Sequence, residues 1–150
     1  MSRLRPVFSL ILVSLATLLI SCGGPNVATA PPSYTQSQIE KIQEYVPDLV
    51  AVKDRGPELQ KLIENEDWID VGTFIHGPIT EAKLNMNFIV SNLFPDQQKQ
   101  ARKIVRNMLN NLVKIAQAAD ARNSRQALSA YDAVFSDINQ FLDLVPAQAQ

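Results

Sequence analysis

Residues 67–93, DWIDVGTFIHGPITEAKLNMNFIVSNL, decide the fold of this 150-residue chain. Their apolar side chains recur in steps of only three and four residues, which is the spacing of one face of an α-helix. Asp67 can cap this helix at its N-terminus. Because the apolar spacing continues past Gly77-Pro78, we predict one bent helix rather than two separate ones. The predicted inward face consists of Trp68, Val71, Ile75, Ile79, Ala82, Met86, Ile89 and Leu93.

A first helix is predicted upstream of this stretch. It begins at Ser37, with Glu40 three residues later as the second half of a capping box. Pro47 and Pro57 lie inside the segment, and an interior proline removes an amide donor, so we expect a kink or a break near Arg55-Gly56-Pro57. The predicted inward face is formed by Ile39, Ile42, Val46, Leu49, Leu59, Leu62 and Ile63.

Two more helices follow. Pro95 is well placed as the first residue of a third helix, and Asn123 or Ser124 can cap a fourth. The third presents Ala101, Ile104, Met108, Leu112, Ile115 and Ala119 on one face, and the fourth presents Ala127, Tyr131, Val134, Ile138, Phe141 and Val145. No stretch alternates with a period of two for long enough to predict a strand. Short connections make such helices antiparallel neighbours, so the predicted fold is all-α, an up-down-up-down four-helix bundle at residues 37–145 with a frayed tail at 146–150.

The N-terminus has the pattern of an export signal. Arg3 and Arg5 precede an apolar run at residues 7–20, which is shorter than a membrane-spanning helix requires. The run ends in Leu19-Ile20-Ser21-Cys22, the order of residues in a bacterial lipobox. Cys22 is the only cysteine and has no disulfide partner, which favours a lipidated cysteine over a plain signal peptide with an incidental one. We therefore predict a lipoprotein signal peptide at residues 1–21 and a diacylglycerol on Cys22.

Residues 22–36 contain three prolines and two glycines and no apolar periodicity, so they are predicted to form a flexible tether between lipid and bundle. Two or more acyl chains anchor a protein stably without spanning the membrane. Removal of residues 1–21 takes away Arg3 and Arg5 but no acid, which leaves 12 of the 14 basic residues beside 15 acidic ones, a net charge of −3. This balance argues against nucleic acid as a partner.

Charge is unevenly distributed along the bundle. Residues 34–94 hold ten acids and five bases, whereas residues 95–125 hold two acids and seven bases. The spacing i, i+3, i+4, i+7 puts four of these bases on one strip of the third helix, facing away from its apolar side. The predicted docking strip consists of Lys99, Arg102, Lys103 and Arg106. It suits an acidic protein surface; a solvated face neutralised by neighbouring acids, or a contact with anionic lipid, are the alternatives.

Little in the sequence indicates an enzyme. His76 is the only histidine, so neither a Ser-His-Asp triad with a motif-like serine nor a di-metal carboxylate bundle with two Glu-x-x-His motifs can be assembled. We predict no catalytic residue, no resident metal or cofactor and no small-molecule substrate, with His76 a surface or partly packed residue. The alternatives are a metal held by His76 and a nearby acid, or a haem held by His76 with Met86 or Met108.

Several segments together resemble the cyanobacterial PsbQ (CyanoQ) family. They are the lipobox, the stretch PPSYTQSQIEKIQEYV at residues 31–46, the stretch EDWIDVGTFIHGPI at residues 66–79, and the closing YDAVFSDINQFLDLV at residues 131–145. Members of that family are extrinsic lipoprotein subunits of photosystem II on the lumenal side of the thylakoid membrane. In the resemblance, Cys22 matches the lipidated cysteine, and Trp68, Gly77 and Pro78 match structural positions.

The resemblance implies a non-catalytic role. Family members cover the lumenal face of photosystem II beside the other extrinsic subunits and the inner chlorophyll-binding antenna. There they stabilise the oxygen-evolving complex and help to retain the calcium and chloride that water oxidation requires. The same resemblance implies a lipid-anchored peripheral protein of the thylakoid membrane. An unrelated membrane-anchored lipoprotein scaffold and a haem- or metal-binding helical bundle are the alternatives to this function.

Overall fold

A computed structural model describes residues 33–147 of the chain. The predictions for the signal peptide, Cys22, the tether up to residue 32 and the last three residues lie outside this range. Within it the chain is helical and contains no strand. The helices are α1 (Gln36–Gln43), α2 (Val46–Asp54), α3 (Gly56–Glu64), α4 (Trp68–Phe74), a π-helical turn (Ile75–Ile79), α5 (Thr80–Asn92), α6 (Pro95–Asp120) and α7 (Ser124–Leu142). They form the four arms of a bundle, which confirms the predicted fold.

The first arm consists of α1, α2 and α3. The predicted break near Arg55 is confirmed, and a second one separates α1 from α2. Pro47 and Pro57 each lie in the first turn of a helix, where amide groups have no intrahelical acceptor. The predicted capping box was wrong. Thr35 caps α1: its hydroxyl accepts from the Gln38 amide at 3.2 Å, and the Gln38 side chain accepts from the Thr35 amide at 3.0 Å.

The second arm runs through Gly77-Pro78 as predicted, because a π-helical turn joins α4 to α5 without a break. A π turn is wider than an α turn, so the inward face steps five residues, from Phe74 to Ile79. The prediction that Ile75 lies in the core was therefore wrong: it is only partly buried, as is Trp68. The Thr80 hydroxyl donates to the Ile75 carbonyl oxygen at 3.2 Å, which satisfies an acceptor within the irregular turn.

The third and fourth arms, α6 and α7, make the most extensive contact of the bundle. Pro95 is the first residue of α6, and the Asn123 side chain caps α7 by accepting from the Gln126 amide at 3.1 Å. Most of their predicted inward residues are buried, but Ala119, Tyr131 and Val145 are only partly buried. Ala118 is fully buried instead of Ala119. Further contacts join α5 to α1, α2 and α6, α4 to α6, and α3 to α7. Together they close the four arms around one core.

The first arm turns beside α7 at Gly56. A Cβ atom at this position would lie 2.7 Å from Cε1 of Phe135, closer than carbon atoms approach each other. Arg55 occupies the same corner, with its guanidinium 5.0 Å from the Phe74 ring centroid and in an ion pair with Glu58 at 2.9 Å. Their hydrogen bond raises the pKa of Arg55 and lowers that of Glu58. The close approach of two arms therefore depends on a residue without a side chain.

Replacing Gly56 with alanine should destabilise the bundle. Overpacking costs about 1–3 kcal/mol, whereas the gain in helix propensity is at most about 1 kcal/mol. Gly72→Ala is the matched control, because a Cβ there meets nothing within 4 Å and no glycine described has a positive φ; it should stabilise by about 0.5–1 kcal/mol. In a Phe135→Ala background the Gly56→Ala penalty should vanish. Denaturant unfolding measures all three, and a Gly56→Ala variant as stable as Gly72→Ala would refute the packing argument.

One acid lies in the contact between α6 and α7. Asp137 is only 6% exposed, and its Oδ2 accepts from Nδ2 of Asn111 at 2.9 Å. The Lys114 ammonium in turn donates to the Asn111 side-chain oxygen at 2.8 Å. Burial raises the pKa of Asp137, while the Asn111 hydrogen bond and the charge of Lys114 oppose that shift. The ionised carboxylate is therefore a net cost to the folded state at neutral pH.

The stability of the bundle should thus depend on Asp137 and pH. Because the folded protein holds this proton more tightly than the unfolded chain, stability falls as pH rises through the folded pKa, and the gain is complete below the unfolded value of about 3.9. Asp137→Asn keeps a hydrogen-bond acceptor and removes the charge, so its melting temperature should exceed that of the wild type at about pH 7, with the difference shrinking towards about pH 4. Asp132→Asn, an exposed position on the same helix, is the control. Parallel melting curves for Asp137→Asn and the wild type at all pH values would contradict the assignment.

Candidate functional site

All four residues of the predicted docking strip are exposed on α6. Their side chains point away from the core, because Ala101, Ile104 and Met108 on the opposite side of the helix are buried in it. The structure divides the strip into two parts, however. Lys99, Arg102 and Arg106 line a groove between α5 and α6, whereas Lys103 does not.

The groove has a volume of about 430 Å³ and two unequal walls. α5 contributes Lys83 and Asn87, and α6 contributes the three bases together with Val105 and Leu109. Val105 is 5% exposed and Leu109 partly buried, so the floor between the charged side chains is apolar. Lys83 was not among the predicted site residues, since the spacing within one helix does not show which residue of a neighbouring helix lies opposite. We call this set of residues the basic groove.

No acid lines the basic groove. Among residues 33–147 the only ion pair joins Arg55 to Glu58, well away from it in the first arm. Arg102 donates to the Gln98 side chain at 3.2 Å, a neutral acceptor on its own helix. Within residues 33–147, the bases of the strip therefore form no ion pair with an acid of a neighbouring helix. Four positive charges converge on one concavity of a chain whose net charge is −1 with the leader included.

A second groove lies on the other side of α5, against α2. It is of mixed charge, with Asp48, Glu81 and Arg55 around its edge. Phe88 is stacked on Tyr45 with ring centroids 4.8 Å apart, yet it remains 50% exposed, as does Leu84. Lys83 and Asn87 thus face one groove while Leu84 and Phe88 face the other. α5 therefore separates the basic groove from a second groove that contains a half-exposed apolar pair.

The entry of the chain into the bundle is fixed next to the start of α6. The Tyr34 ring stacks on Phe94 with centroids 3.9 Å apart, and the Tyr34 hydroxyl accepts from the Phe94 amide at 3.1 Å. The same hydroxyl donates to the side-chain oxygen of Gln97. Tyr34 is therefore held within about two helical turns of Lys99 and Arg102, because a turn of α-helix contains 3.6 residues.

His76, Met86 and Met108, the candidate haem or metal ligands, do not face a common site. His76 is exposed on the π-helical turn, whereas Met86 and Met108 have no exposed surface and fill the core. A pair of axial ligands has to face one cavity from both sides. In the part of the chain described, no three His, Cys, Asp or Glu side chains lie close enough to share a metal ion. No helix within that part is both long enough and apolar enough to cross a bilayer.

Two comparisons with known proteins agree with this architecture. The family model PsbQ, described as oxygen evolving enhancer protein 3, matches residues 2–146. A protein named CyanoQ, from Synechocystis sp., is 37% identical over 148 residues, which cover 97% of this chain and 98% of the relative. This chain belongs to the PsbQ family.

Membership of the PsbQ family confirms the resemblance that the sequence segments indicate. The relative is matched over nearly its whole length, so the match includes the segments predicted to be a signal peptide and a tether as well as all four arms. The family match tests neither the lipidation of Cys22 nor the docking strip, and both stay predictions. The geometry refines the docking strip, because it separates Lys103 from the other three bases and adds Lys83.

The exposed bases should be replaceable without loss of the fold. In the double variant Lys103→Glu, Arg106→Glu both side chains are exposed and neither forms an ion pair within residues 33–147. Its free energy of unfolding should stay within about 0.5 kcal/mol of the wild type, as for surface substitutions generally. Thermal unfolding followed by circular dichroism measures this. A loss of more than about 2 kcal/mol would mean that the bases support the fold, since changes of that size require a structural cause.

Proposed function

We propose that this PsbQ-family chain is a non-catalytic extrinsic subunit on the lumenal side of photosystem II, where it stabilises the oxygen-evolving complex. Family membership supports an association with photosystem II, since the matching family model is described as an oxygen evolving enhancer protein. The observation that carries the proposal beyond the family is the basic groove, a set of bases that form no ion pair within residues 33–147. Such a surface suits docking on an acidic protein face.

The described residues favour binding over catalysis. The single histidine is exposed, and the only buried acid, Asp137, is hydrogen-bonded to Asn111 between two helices. A general base needs a partly enclosed site with a substrate position within hydrogen-bond reach. The grooves found here are open and lined mainly by surface side chains. The chain would act by occupying a face of the complex and by holding its neighbours in place.

Lipidation of Cys22 would make a weak docking surface sufficient. The anchor restricts the chain to a layer near the membrane, and the tether lets the bundle search that layer. Tethering of this kind raises the effective concentration to the millimolar range. The inner chlorophyll-binding antenna and the other extrinsic subunits are the proposed partners in that layer. Neither nucleic acid nor a small-molecule substrate has a part in this function.

Retention of calcium and chloride would follow from coverage of the lumenal face. A rigid helical body over the other subunits limits the openings through which water and ions exchange, so it slows the loss of ions that it does not itself bind. The chain needs no calcium ligands for this effect. We therefore expect removal of the subunit to lower oxygen evolution strongly when calcium or chloride is scarce, and only slightly when both ions are supplied in excess.

The test is to isolate photosystem II from the source thylakoids in mild detergent and to follow this chain by mass spectrometry before and after a high-salt wash. Co-purification followed by release in salt supports a charge-assisted extrinsic subunit, because salt screens exposed ion pairs. Absence from every photosystem II fraction, with the chain still in the membrane, would overturn the proposal. It would favour instead a membrane-anchored lipoprotein scaffold of another assembly.

Removal of the lipid should weaken retention without changing the bundle. The triple variant Leu19→Ala, Ser21→Ala, Cys22→Ser replaces the lipobox with a small-residue cleavage site, so the chain is still exported but carries no acyl chain. The fraction bound to photosystem II membranes should fall by about tenfold or more, because tethering raises the overall affinity by a factor of about 10²–10⁴. Immunoblots of washed membranes measure this fraction. Unchanged binding of a correctly cleaved, unlipidated chain would show that the anchor is dispensable.

A further inference from the structure

We infer that the basic groove between α5 and α6, rather than the whole basic strip of α6, receives an acidic polypeptide segment of a neighbouring subunit. This deepens the proposed function and rests on it for the identity of the partner. The groove collects Lys83 from α5 and Lys99, Arg102 and Arg106 from α6. A segment in the groove would meet positive charge from both walls.

The shape of the site favours a polypeptide segment over a membrane surface. A bilayer presents its head groups as a plane, and a plane would contact the outermost bases of α6, including Lys103. The basic groove instead holds its charges around a concavity with an apolar floor of Val105 and Leu109. Carboxylates along the rims and an aliphatic side chain on the floor would complement it, which is the usual anatomy of a protein interface, a polar rim around an apolar centre.

The surroundings of the groove add to the same inference. Leu84 and Phe88, both half exposed, line the second groove on the other side of α5, so a partner that extends across this helix would meet them as well. Aromatic side chains and arginines are enriched in protein interfaces relative to the rest of protein surfaces. Asn87 offers a neutral polar group in the same wall; its Nδ2 donates to the Lys83 carbonyl oxygen at 2.9 Å, which leaves its side-chain oxygen free to accept from a partner's backbone amide.

The pairing of charges supplies the specificity. Residues 34–94 carry twice as many acids as bases, so most of the first two arms would repel an acidic partner. The groove is the place where positive side chains from two arms converge without an acid. Like-charge repulsion elsewhere and attraction in the groove fix the orientation of docking as well as its strength. An acidic segment would therefore be bound in one register.

A matched pair of variants tests the inference. Lys83→Glu and Lys103→Glu make the same change of charge, but only Lys83 lines the groove. With the full mature chain added to salt-washed photosystem II particles, Lys83→Glu should raise the dissociation constant by about tenfold or more. Lys103→Glu should change it by no more than about twofold. Equal losses in the two variants, or no loss for Lys83→Glu, would overturn the groove in favour of a general basic face.

Zero-length carbodiimide cross-linking in isolated source membranes identifies the partner independently of that assay. Lys83 and Lys99 should be joined to neighbouring aspartates or glutamates of one protein segment, and Lys103 should not. If the linked segment belongs to a protein outside photosystem II, the groove stands and the proposed function fails. If the chain is found in photosystem II but its links run mainly through Lys103, the function stands and the groove fails.

Vesicles separate the lipid alternative from the polypeptide one. The mature chain, inserted by its anchor in neutral vesicles, is compared with the same chain in vesicles containing about a third anionic phosphatidylglycerol. A groove for a polypeptide predicts that Lys83 and Lys99 are acetylated at the same rate on the two kinds of vesicle. Strong protection of Lys83, Lys99 and Lys103 together on the anionic vesicles alone would overturn the inference and assign the bases to the membrane surface.

Discussion

Pro78 imposes the constraint on which the rest of the structure depends. It lies in the middle of the second arm, has no amide hydrogen to donate, and would clash with the preceding turn of a regular α-helix. The π-helical turn at Ile75–Ile79 absorbs it and lets α5 continue on the same side of the bundle. Ile79, Ala82, Met86 and Ile89 are all fully buried beyond it. Each large apolar side chain among them is worth about 1.5–3 kcal/mol when buried, so a helix that turned away at Pro78 would forfeit much of the roughly 5–15 kcal/mol that stabilises a domain.

The same turn sets the direction of every side chain on α5. With Ala82 and Met86 inward, the neighbouring positions Lys83 and Asn87 face α6, and Leu84 and Phe88 face α2. A register one residue different would move Lys83 out of the groove between α5 and α6. The irregular turn is thus more than a local accommodation of a proline, because it couples the packing of the core to the composition of a surface groove. That coupling gives a physical reason for Pro78 to be a structural position in a PsbQ-family chain.

The sequence was sufficient for the fold because the bundle obeys one periodicity almost everywhere. Steps of three and four residues predicted four helices, the start of α6 at Pro95 and most of the core. They failed at Ile75, where a π turn changes the step to five, and no rule of α-helical spacing includes that change. The start of α1 was missed because Ser37-Glu40 and Thr35-Gln38 both have the spacing of a capping box, and geometry alone selects the second.

The candidate site was only half predictable for a related reason. A strip of bases on one helix is visible in its own spacing, so Lys99, Arg102 and Arg106 were found. The contribution of Lys83 depends on how far α5 is displaced along α6 and on its rotation, and both quantities come from packing of the core between the arms. Exposure of Lys103 is equally clear from the spacing, yet its exclusion from the groove is not. Function at an interface between arms is therefore less visible in a sequence than function along one helix.

A docking site of this kind can remain weak and still be occupied. At an effective concentration of about 1 mM, a dissociation constant of about 0.1 mM leaves roughly nine sites in ten filled. Four cations over an apolar floor can supply that affinity without a large hydrophobic interface. A larger apolar surface would hold the chain more firmly, but it would also be an aggregation hazard before assembly. The described residues show no large apolar surface on α5. Leu84 and Phe88 are half exposed, and the other side chains of α5 that face solvent are polar. A lipid on Cys22 and docking by charge would thus be complementary, since the anchor would supply the concentration that lets the docking stay reversible.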